Sequence, residues 1–308
     1  MCNDGGNLCS IALTLTAPKI CFCYICQMNL NEKQAVSIAI LDLYAGQENQ
    51  GMRGLREILN QFGKENHIDL FVEEFDVRQK KELPDSSFDI YISSGGPGSP
   101  LESEGMEWDT LYFNWVKKME IWNTDPLNVQ KKHIFFVCHS FQLACRYFKI
   151  AQITKRKSTA FGVFPVHLLD KGKLEPVFEG LPDPFYAVDS RDYQVIQPNQ
   201  TRLKELGAKI LCIEKDRPHV PYERAIMGVR FTDYFIGTQF HPEADPVGMT
   251  IHLKTEGRKK IVVENHGIEK WKSMIEQLND PDKILCTHDH VLPNFLKIAL
   301  NSLQEIYV

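Results

Sequence analysis

The feature that most constrains the fold of this chain is a series of short apolar runs that alternate with amphipathic stretches. The first run, Ser37 to Leu43, is almost wholly apolar, which is typical of a parallel strand buried on both faces. The next segment, Gly51 to Phe62, places its apolar residues on one helical stripe. Another apolar run, His133 to Cys138, leads directly into a helical pattern over Ser140 to Phe148. This alternation predicts an α/β fold with an open, mainly parallel, doubly wound sheet of the flavodoxin-like kind.

The second half of the chain has a different pattern. Strand-like segments joined by turn-rich pieces occur at Phe161 to Leu169, Tyr186 to Ile196, Ala208 to Glu214 and Ala225 to His241. They predict an antiparallel portion of the sheet. Amphipathic patterns at Ile268 to Leu278 and Val291 to Leu303 then predict a helical extension. We therefore expect one domain over 36–245, with 246–308 packed on it.

Composition excludes several classes of protein. The 308 residues are 43% hydrophobic and 24% charged, with a net charge of −5, so the chain is globular and offers no broad basic surface for nucleic acid. No apolar run reaches the ~18 residues of a membrane span. Five of the nine cysteines precede residue 27, and the remainder are sparse, which favours a cytoplasmic protein with reduced thiols.

The amino-terminal segment, residues 1–35, shows no recognisable architecture. It has no basic start and no clear small-residue cleavage site, so a secretory signal is disfavoured. Cys21, Cys23 and Cys26 lack a second pair that would complete a zinc site, and we expect neither a metal nor another cofactor. We interpret the segment as extraneous or disordered, with Met28 as the expected natural start.

Three separated motifs carry residues suited to chemistry, and each follows a predicted strand. They are Ser-Gly-Gly-Pro-Gly-Ser-Pro at 94–100, Val-Cys-His-Ser-Phe-Gln at 137–142, and Gln-Phe-His-Pro-Glu at 239–243. Ligands bind at the carboxyl edge of open α/β sheets, so we expect the three motifs to meet there.

The motifs together contain a nucleophile, a base and a residue to orient the base. Cys138 lies where a strand turns into a helix, and the helix amino terminus favours a thiolate. His241 and Glu243 lie two apart on a predicted strand, so both are expected on one face, with Glu243 orienting the imidazole. Glycines near 96 let a backbone N–H approach a developing oxyanion together with the N–H of His139.

In these motifs the chain resembles the class I glutamine amidotransferases, over roughly 36–245. The resemblance implies release of ammonia from the glutamine side chain, with Cys138 as nucleophile, His241 as base and Glu243 as orienter. It implies Gly96 and His139 as oxyanion donors. It also implies that substrate is bound by three further residues: Gln142, Ser190 and Arg191.

The chain departs from the family's Gly-x-Cys-x-Gly-x-Gln elbow at two positions. Phe136 and Ser140 replace the glycines, and the two-residue period of a strand places Phe136 on the same side as Cys138. We therefore expect the Phe136 ring to crowd the pocket. Arg191 stands where the family has histidine.

Three functions follow as hypotheses. The first is a glutamine amidohydrolase that works through a γ-glutamyl thioester and supplies ammonia to a separate synthase subunit, because no phosphate-binding glycine loop for an acceptor domain is visible. The second is a stand-alone hydrolase of γ-glutamyl compounds. The third is a catalytically silent scaffold or regulatory subunit, in which Phe136 closes the site.

Overall fold

One mixed sheet forms the centre of the structure, a computed structural model that describes residues 35–218, 223–278, 280 and 283–304. The expectation for residues 1–35 lies outside this part of the chain apart from Ala35. The strands that the structure describes are β1 Val36–Asp42, β2 Leu70–Asp76, β3 Ile90–Ser93, β4 His133–Val137, β5 Gln152–Leu168, β6 Phe185–Ile196, β7 Lys209–Glu214, β8 Ile226–Arg230 and β9 Phe235–Thr238. Their order in the sheet is β2-β1-β3-β4-β9-β8-β7-β5-β6.

The sheet has a parallel half and an antiparallel half. Strands β2, β1, β3, β4 and β9 are parallel, whereas β9, β8, β7, β5 and β6 pair antiparallel. The predicted fold class is confirmed. Because the parallel strands share one direction, their carboxyl ends form one edge, and this edge positions the candidate site.

Helices cover both faces of the sheet. They are α1 Gly51–Asn66, α2 Glu107–Thr124, α3 His139–Phe148, α4 Asp170–Lys173, α5 Gln200–Leu206, α6 Pro246–Lys254, α7 Glu256–His266, α8 Ile268–Leu278 and α9 Ile284–Gln304. Helices α1 and α9 pack on one face in a core with Phe135 and Val137 of β4. Helices α2 and α3 pack on the other face with Ile134 and Phe136. The alternation of β4 therefore divides its side chains between two cores.

The carboxy-terminal helices pack in two places. Helices α6 and α8 share a smaller core with Val163 of β5 and Val188 of β6. Helix α9 lies on the central strands, where the Phe295 ring is 5.2 Å from that of Phe135. No helix within the described ranges combines the length and apolarity that crossing a membrane requires.

Two predicted strands differ in extent from the observed ones. Strand β5 begins at Gln152, nine residues before the predicted Phe161, because its polar amino-terminal part pairs with the edge strand β6 and needs no apolar pattern. The stretch Ala225 to His241, read as one strand, is a hairpin of β8 and β9. Its turn lies at 231–234, where the Thr232 hydroxyl accepts hydrogen bonds from the N–H groups of Tyr234 and Phe235.

Candidate active site

A cleft of about 310 Å³ opens at the carboxyl edge of the parallel strands. Four of these strands end beside it: Tyr44 follows β1, Gly96 follows β3, Cys138 follows β4 and His241 follows β9. The three motifs thus meet at the sheet edge where the sequence predicted them.

Cys138 occupies the sharp turn between β4 and α3. Its φ of 48° and ψ of −97° lie outside the helical and extended regions, as predicted for a nucleophile at a strand-to-helix turn. Cys138 is 5% exposed, and its sulfur lies 3.7 Å from the Ser190 carbonyl oxygen. This backbone aims the side chain into the cleft rather than along the helix.

Ser140 stabilises the turn through hydrogen bonds between its hydroxyl and the backbone. Its hydroxyl accepts a hydrogen bond from the Val137 N–H at 2.8 Å and lies 2.7 Å from the Ser93 carbonyl oxygen, to which it donates. Ser93 in turn contacts the Tyr112 hydroxyl at 2.8 Å. Ser140, a departure from the family pattern, therefore ties the elbow to strand β3 and helix α2.

His241 and Glu243 form a close pair beside the cleft. The imidazole Nδ1 lies 2.7 Å from the Glu243 Oε1. The prediction that both lie on a strand is wrong: β9 ends at Thr238, and Glu243 lies in a turn that follows one bridge between His241 and Val188. Pro242 has no N–H to continue a ladder, so the chain turns and still brings the two side chains together.

The surroundings of His241 favour its charged form. Burial alone disfavours an imidazolium, but the neighbouring Cys138 sulfur and the Glu243 carboxylate outweigh it and raise the pKa of His241 well above its usual value. A protonated imidazole next to a sulfur is the partner that a thiolate requires.

Helix α1 begins against Glu243. A Cβ at Gly51 would lie 3.1 Å from Glu243 Oε1, and a Cβ at Gly54 would overlap the Glu243 carbonyl oxygen. The carboxylate therefore lies close to the amino end of α1, where the helix dipole favours a negative charge. Its other oxygen, Oε2, is buried and has no hydrogen-bond partner within the described residues.

The two predicted oxyanion donors face the cleft. His139 is the first residue of α3, where backbone N–H groups have no acceptor inside the helix. Gly96 lies so close to the end of β1 that a Cβ there would overlap the Leu43 carbonyl oxygen. The His139 ring itself is buried, and burial, with the charges of Arg78 and Arg146, lowers its pKa to about 3.

The three predicted substrate-binding residues also line the cleft. The side chains of Gln142 and Arg191, however, already bind other protein groups. Gln142 is buried and donates to Gln239 Oε1 at 2.9 Å. Ser190 presents its carbonyl oxygen to Cys138. The Arg191 guanidinium is engaged with Asp189 at 3.0 Å and Glu214 at 2.9 Å, so the residue at the family's histidine position forms part of a buried ion cluster.

The expectation that Phe136 crowds the pocket is wrong. Its ring lies in the core on the α2 and α3 face, 5.9 Å from the ring of Phe231 and 6.1 Å from that of Phe235. Strand alternation ends at Val137, and the unusual φ of Cys138 turns its side chain away from the direction that the two-residue period implies. Gly237 makes room for Phe136, since a Cβ there would lie 2.9 Å from the Phe136 Cβ.

Sequence reasoning gave no role to two residues at the site. Gln239 donates to the Cys138 sulfur at 3.7 Å, and its place directly before Phe-His-Pro-Glu was the available signal. Tyr44 lines the cleft next to Glu243, and no motif pointed to it. In the part of the chain that the structure describes, no three His, Cys, Asp or Glu side chains are grouped as ligands of a metal ion would be.

Comparison with known proteins identifies the class. The model of the family "Glutamine amidotransferase class-I" matches residues 52–257, so the chain belongs to this family. Among curated proteins it is similar to a homoserine O-acetyltransferase of Phocaeicola vulgatus, with 24% identity over 201 residues. That match covers 64% of this chain and only 57% of the length of the acetyltransferase.

Solved structures share the fold. A glutamine amidotransferase of Thermotoga maritima superimposes with a TM-score of 0.60 and 15% identity, covering 86% of this chain and 97% of its own. A glutamine amido transferase of Methylobacillus flagellatus has a TM-score of 0.56 and 14% identity, with 85% and 94% covered. At these identities the likeness concerns the fold alone.

Proposed function

We propose that the chain hydrolyses the side-chain amide of glutamine, or of a γ-glutamyl compound, through a thioester on Cys138. The observation that carries this proposal is the meeting of Cys138, at its positive-φ turn, with the His241–Glu243 pair in one cleft. Membership of the class-I glutamine amidotransferase family supports it. Nucleophile, base and orienter are the three parts that covalent acyl transfer needs.

The first half-reaction forms the thioester. The Cys138 sulfur attacks the amide carbon of the γ-glutamyl group, and the carbonyl oxygen becomes an oxyanion that the N–H groups of Gly96 and His139 stabilise. His241 passes a proton to the leaving nitrogen, the C–N bond breaks and ammonia departs. Glu243 holds the imidazole in orientation and stabilises its positive charge.

The second half-reaction releases the acid. Water attacks the thioester carbon while His241 takes its proton, the C–S bond breaks, and the proton returns to the sulfur. Ammonia from the first half-reaction is then available to a separate synthase subunit, which we propose as the partner. Without such a partner, the same chemistry describes a stand-alone γ-glutamyl hydrolase.

Covalent labelling tests the nucleophile. A diazoketone analogue of glutamine should label Cys138, located by peptide mass spectrometry, because Cys145 and Cys212 are buried thiols whose pKa values are raised well above the usual range. Cys138→Ala should abolish both labelling and ammonia release. Cys286→Ser, a half-buried cysteine in α9, serves as the matched control and should change neither.

The same experiment discriminates the alternatives. His241→Ala should slow labelling about 10²–10⁴-fold with the fold intact. Labelling by general thiol reagents but not by the glutamine analogue would indicate a different acyl donor. A Cys138 that resists both kinds of reagent would contradict an enzymatic function and favour the scaffold hypothesis.

A second candidate function is acyl transfer to a hydroxyl group. The similarity to a homoserine O-acetyltransferase supports it, and so does the apolar wall that Val188 and Met249 contribute to the cleft. The triad chemistry is unchanged, but the donor is an acyl thioester and the acceptor is an alcohol. Incubation with acetyl-coenzyme A followed by intact mass measurement distinguishes the two, because only this candidate predicts an acetylated Cys138.

A further inference from the structure

Tyr44 places its hydroxyl in a slot between two glycines from different elements. Gly51 begins α1 and Gly95 follows β3. A Cβ at Gly51 would overlap the Tyr44 Oη, and a Cβ at Gly95 would lie 3.0 Å from it. Any larger residue at either position would displace the phenol, so the two glycines together define the space that we call the Tyr44 slot.

The slot adjoins the catalytic pair. The same Cβ position at Gly95 lies 3.0 Å from the His241 Cε1, and the one at Gly51 lies 3.1 Å from the Glu243 Oε1. Cε1 is the ring carbon between the two nitrogens of the imidazole. One Cβ position at Gly95 thus touches both the phenol oxygen and Cε1, so the phenol lies near the ring edge between Nδ1, which contacts Glu243, and Nε2, the nitrogen left for proton transfer.

Tyr44 is half-buried and lines the cleft, and its hydroxyl makes no hydrogen bond to any of the described residues. A half-buried hydroxyl normally finds a partner, and here the cleft is the side from which one can come. Burial first, and then the negative charges of Glu243 and Cys138, raise the pKa of Tyr44 above its usual value. The hydroxyl thus stays protonated and can both donate and accept.

The proposed acyl-transfer chemistry limits which atom of a bound molecule can form a hydrogen bond with the Tyr44 hydroxyl. The carbonyl oxygen of the acyl group belongs at the N–H groups of Gly96 and His139. The atoms that His241 serves are the leaving nitrogen and, after it has gone, the attacking acceptor. An acceptor at the imidazole edge lies within reach of a hydroxyl held beside that edge.

We infer that Tyr44 binds the acyl acceptor, a water or a small alcohol or amine, and positions it beside His241 for attack on the thioester. The inference rests on the proposed function. In this step the acceptor oxygen or nitrogen bonds to the thioester carbon, its proton moves to His241, the C–S bond breaks and the proton passes to the Cys138 sulfur. Tyr44 transfers no proton and only fixes the acceptor through a hydrogen bond.

The test separates the two half-reactions in Tyr44→Phe. An activated γ-glutamyl aryl ester is the probe, because its leaving group needs no proton and the aryl alcohol released reports acylation. The decay of the γ-glutamyl enzyme is followed by intact mass after acid quenching. We expect acylation within twofold of the unmodified protein and decay about tenfold slower, the loss of one hydrogen bond to the acceptor.

A second readout isolates the acceptor. Added hydroxylamine competes with water for the thioester, and Tyr44→Phe should change the ratio of hydroxamate to glutamate severalfold, which a purely structural role would not do. Tyr234→Phe is the matched control, because the Tyr234 ring packs edge-to-face on His133 at the amino end of β4, away from the cleft. It should leave both rates and the ratio unchanged.

The outcomes are distinguishable. Unchanged decay and an unchanged ratio in Tyr44→Phe would overturn the role of Tyr44 and leave the proposed function standing. Acylation slowed as much as decay would also overturn it, by assigning Tyr44 to the oxyanion or to folding. Failure of the unmodified protein to form any acyl-enzyme would overturn both proposals.

Discussion

Two histidines in the core show how single residues link this fold to pH. His133 begins β4, and its ring packs 5.2 Å from that of Tyr234 and 6.5 Å from that of Phe295. Burial, with a smaller effect from the charge of Arg230, lowers the pKa of His133 to about 4. His133, like His139, is therefore neutral in the folded protein at neutral pH. A neutral ring suits an apolar core, but the preference of the unfolded chain for the protonated ring makes the folded state sensitive to acid.

We predict that His133→Phe reduces the acid sensitivity of the protein. Between pH 6.5 and 4 the unfolded chain binds a proton at His133 and the folded chain does not, so the free energy of unfolding falls as the pH falls. One such group contributes up to about 1.4 kcal/mol per pH unit. Urea denaturation between pH 4 and 7 should therefore show a shallower loss of stability in the variant.

His67→Asn is the control for this measurement. His67 is exposed and has a left-handed backbone that asparagine tolerates, so its replacement changes no buried group. Its stability curve should run parallel to that of the unmodified protein. A constant difference between His133→Phe and the unmodified protein at every pH would contradict the prediction.

At the scale of elements, the start of α1 and the turn after β9 form one contact. Gly54 lies against the Glu243 backbone, and Arg53 forms an ion pair with Asp245 just beyond it. The turn that carries Glu243 has no ladder of its own to stabilise it, so α1 fixes its position. The orientation of the His241 imidazole thus depends on a helix that contributes no side chain to the proposed triad.

We predict opposite effects for the same substitution in two helices. Gly54→Ala should destabilise the fold by about 1–3 kcal/mol, because the methyl overlaps the Glu243 carbonyl oxygen and forces α1 away. Gly257→Ala in α7 meets nothing within 4 Å and should stabilise by about 0.5–1 kcal/mol. Chemical denaturation measures both free energies of unfolding.

Labelling of Cys138 completes that comparison. The glutamine analogue should react more slowly with Gly54→Ala, since the displaced turn misorients His241, and at the normal rate with Gly257→Ala. Equal stability and equal labelling in the two variants would show that α1 does not position the turn.

The sequence predicts the elements near the site far better than it predicts contacts between them. The apolar run of β4 and the motif around Cys138 placed the elbow correctly, because both signals are local. The direction of Phe136 was missed since it depends on where strand alternation stops. The polar start of β5 carries no apolar signal, and the approach of Tyr44 to Glu243 joins residues that only the folded chain brings together.

At the scale of the whole molecule, the helices after Asp245 complete two cores that the sheet alone would expose. Phe295 and neighbouring residues of α9 are buried against β4, and α6 and α8 cover β5 and β6. Amphipathic patterns predicted α8 and the greater part of α9, but no such pattern pointed to α6. Where they dock could not be predicted, because either face of the sheet offers an apolar surface.

We predict that a chain ending at Asp245 aggregates. Its sheet would present to water the apolar face that α9 covers, and exposed patches of this kind drive association. Light scattering and binding of a hydrophobic dye measure the effect. Phe295→Ala in the full chain should act in the same direction and lower the free energy of unfolding by about 3–5 kcal/mol. A truncated protein that stays monomeric and binds no dye would contradict the prediction.

The insertion of β9 between β4 and β8 affects how the chain folds during synthesis. Strand β4 ends at Val137 and its parallel partner β9 begins at Phe235, about 100 residues later. At typical elongation rates, a ribosome needs about 5–20 s to make that stretch. For this time the nascent chain carries β4 with one unpaired edge in the middle of its future sheet, and Cys138 emerges long before His241. A chaperone that covers exposed strand edges would therefore protect this protein from wrong strand pairing mainly before residue 235 has left the ribosome.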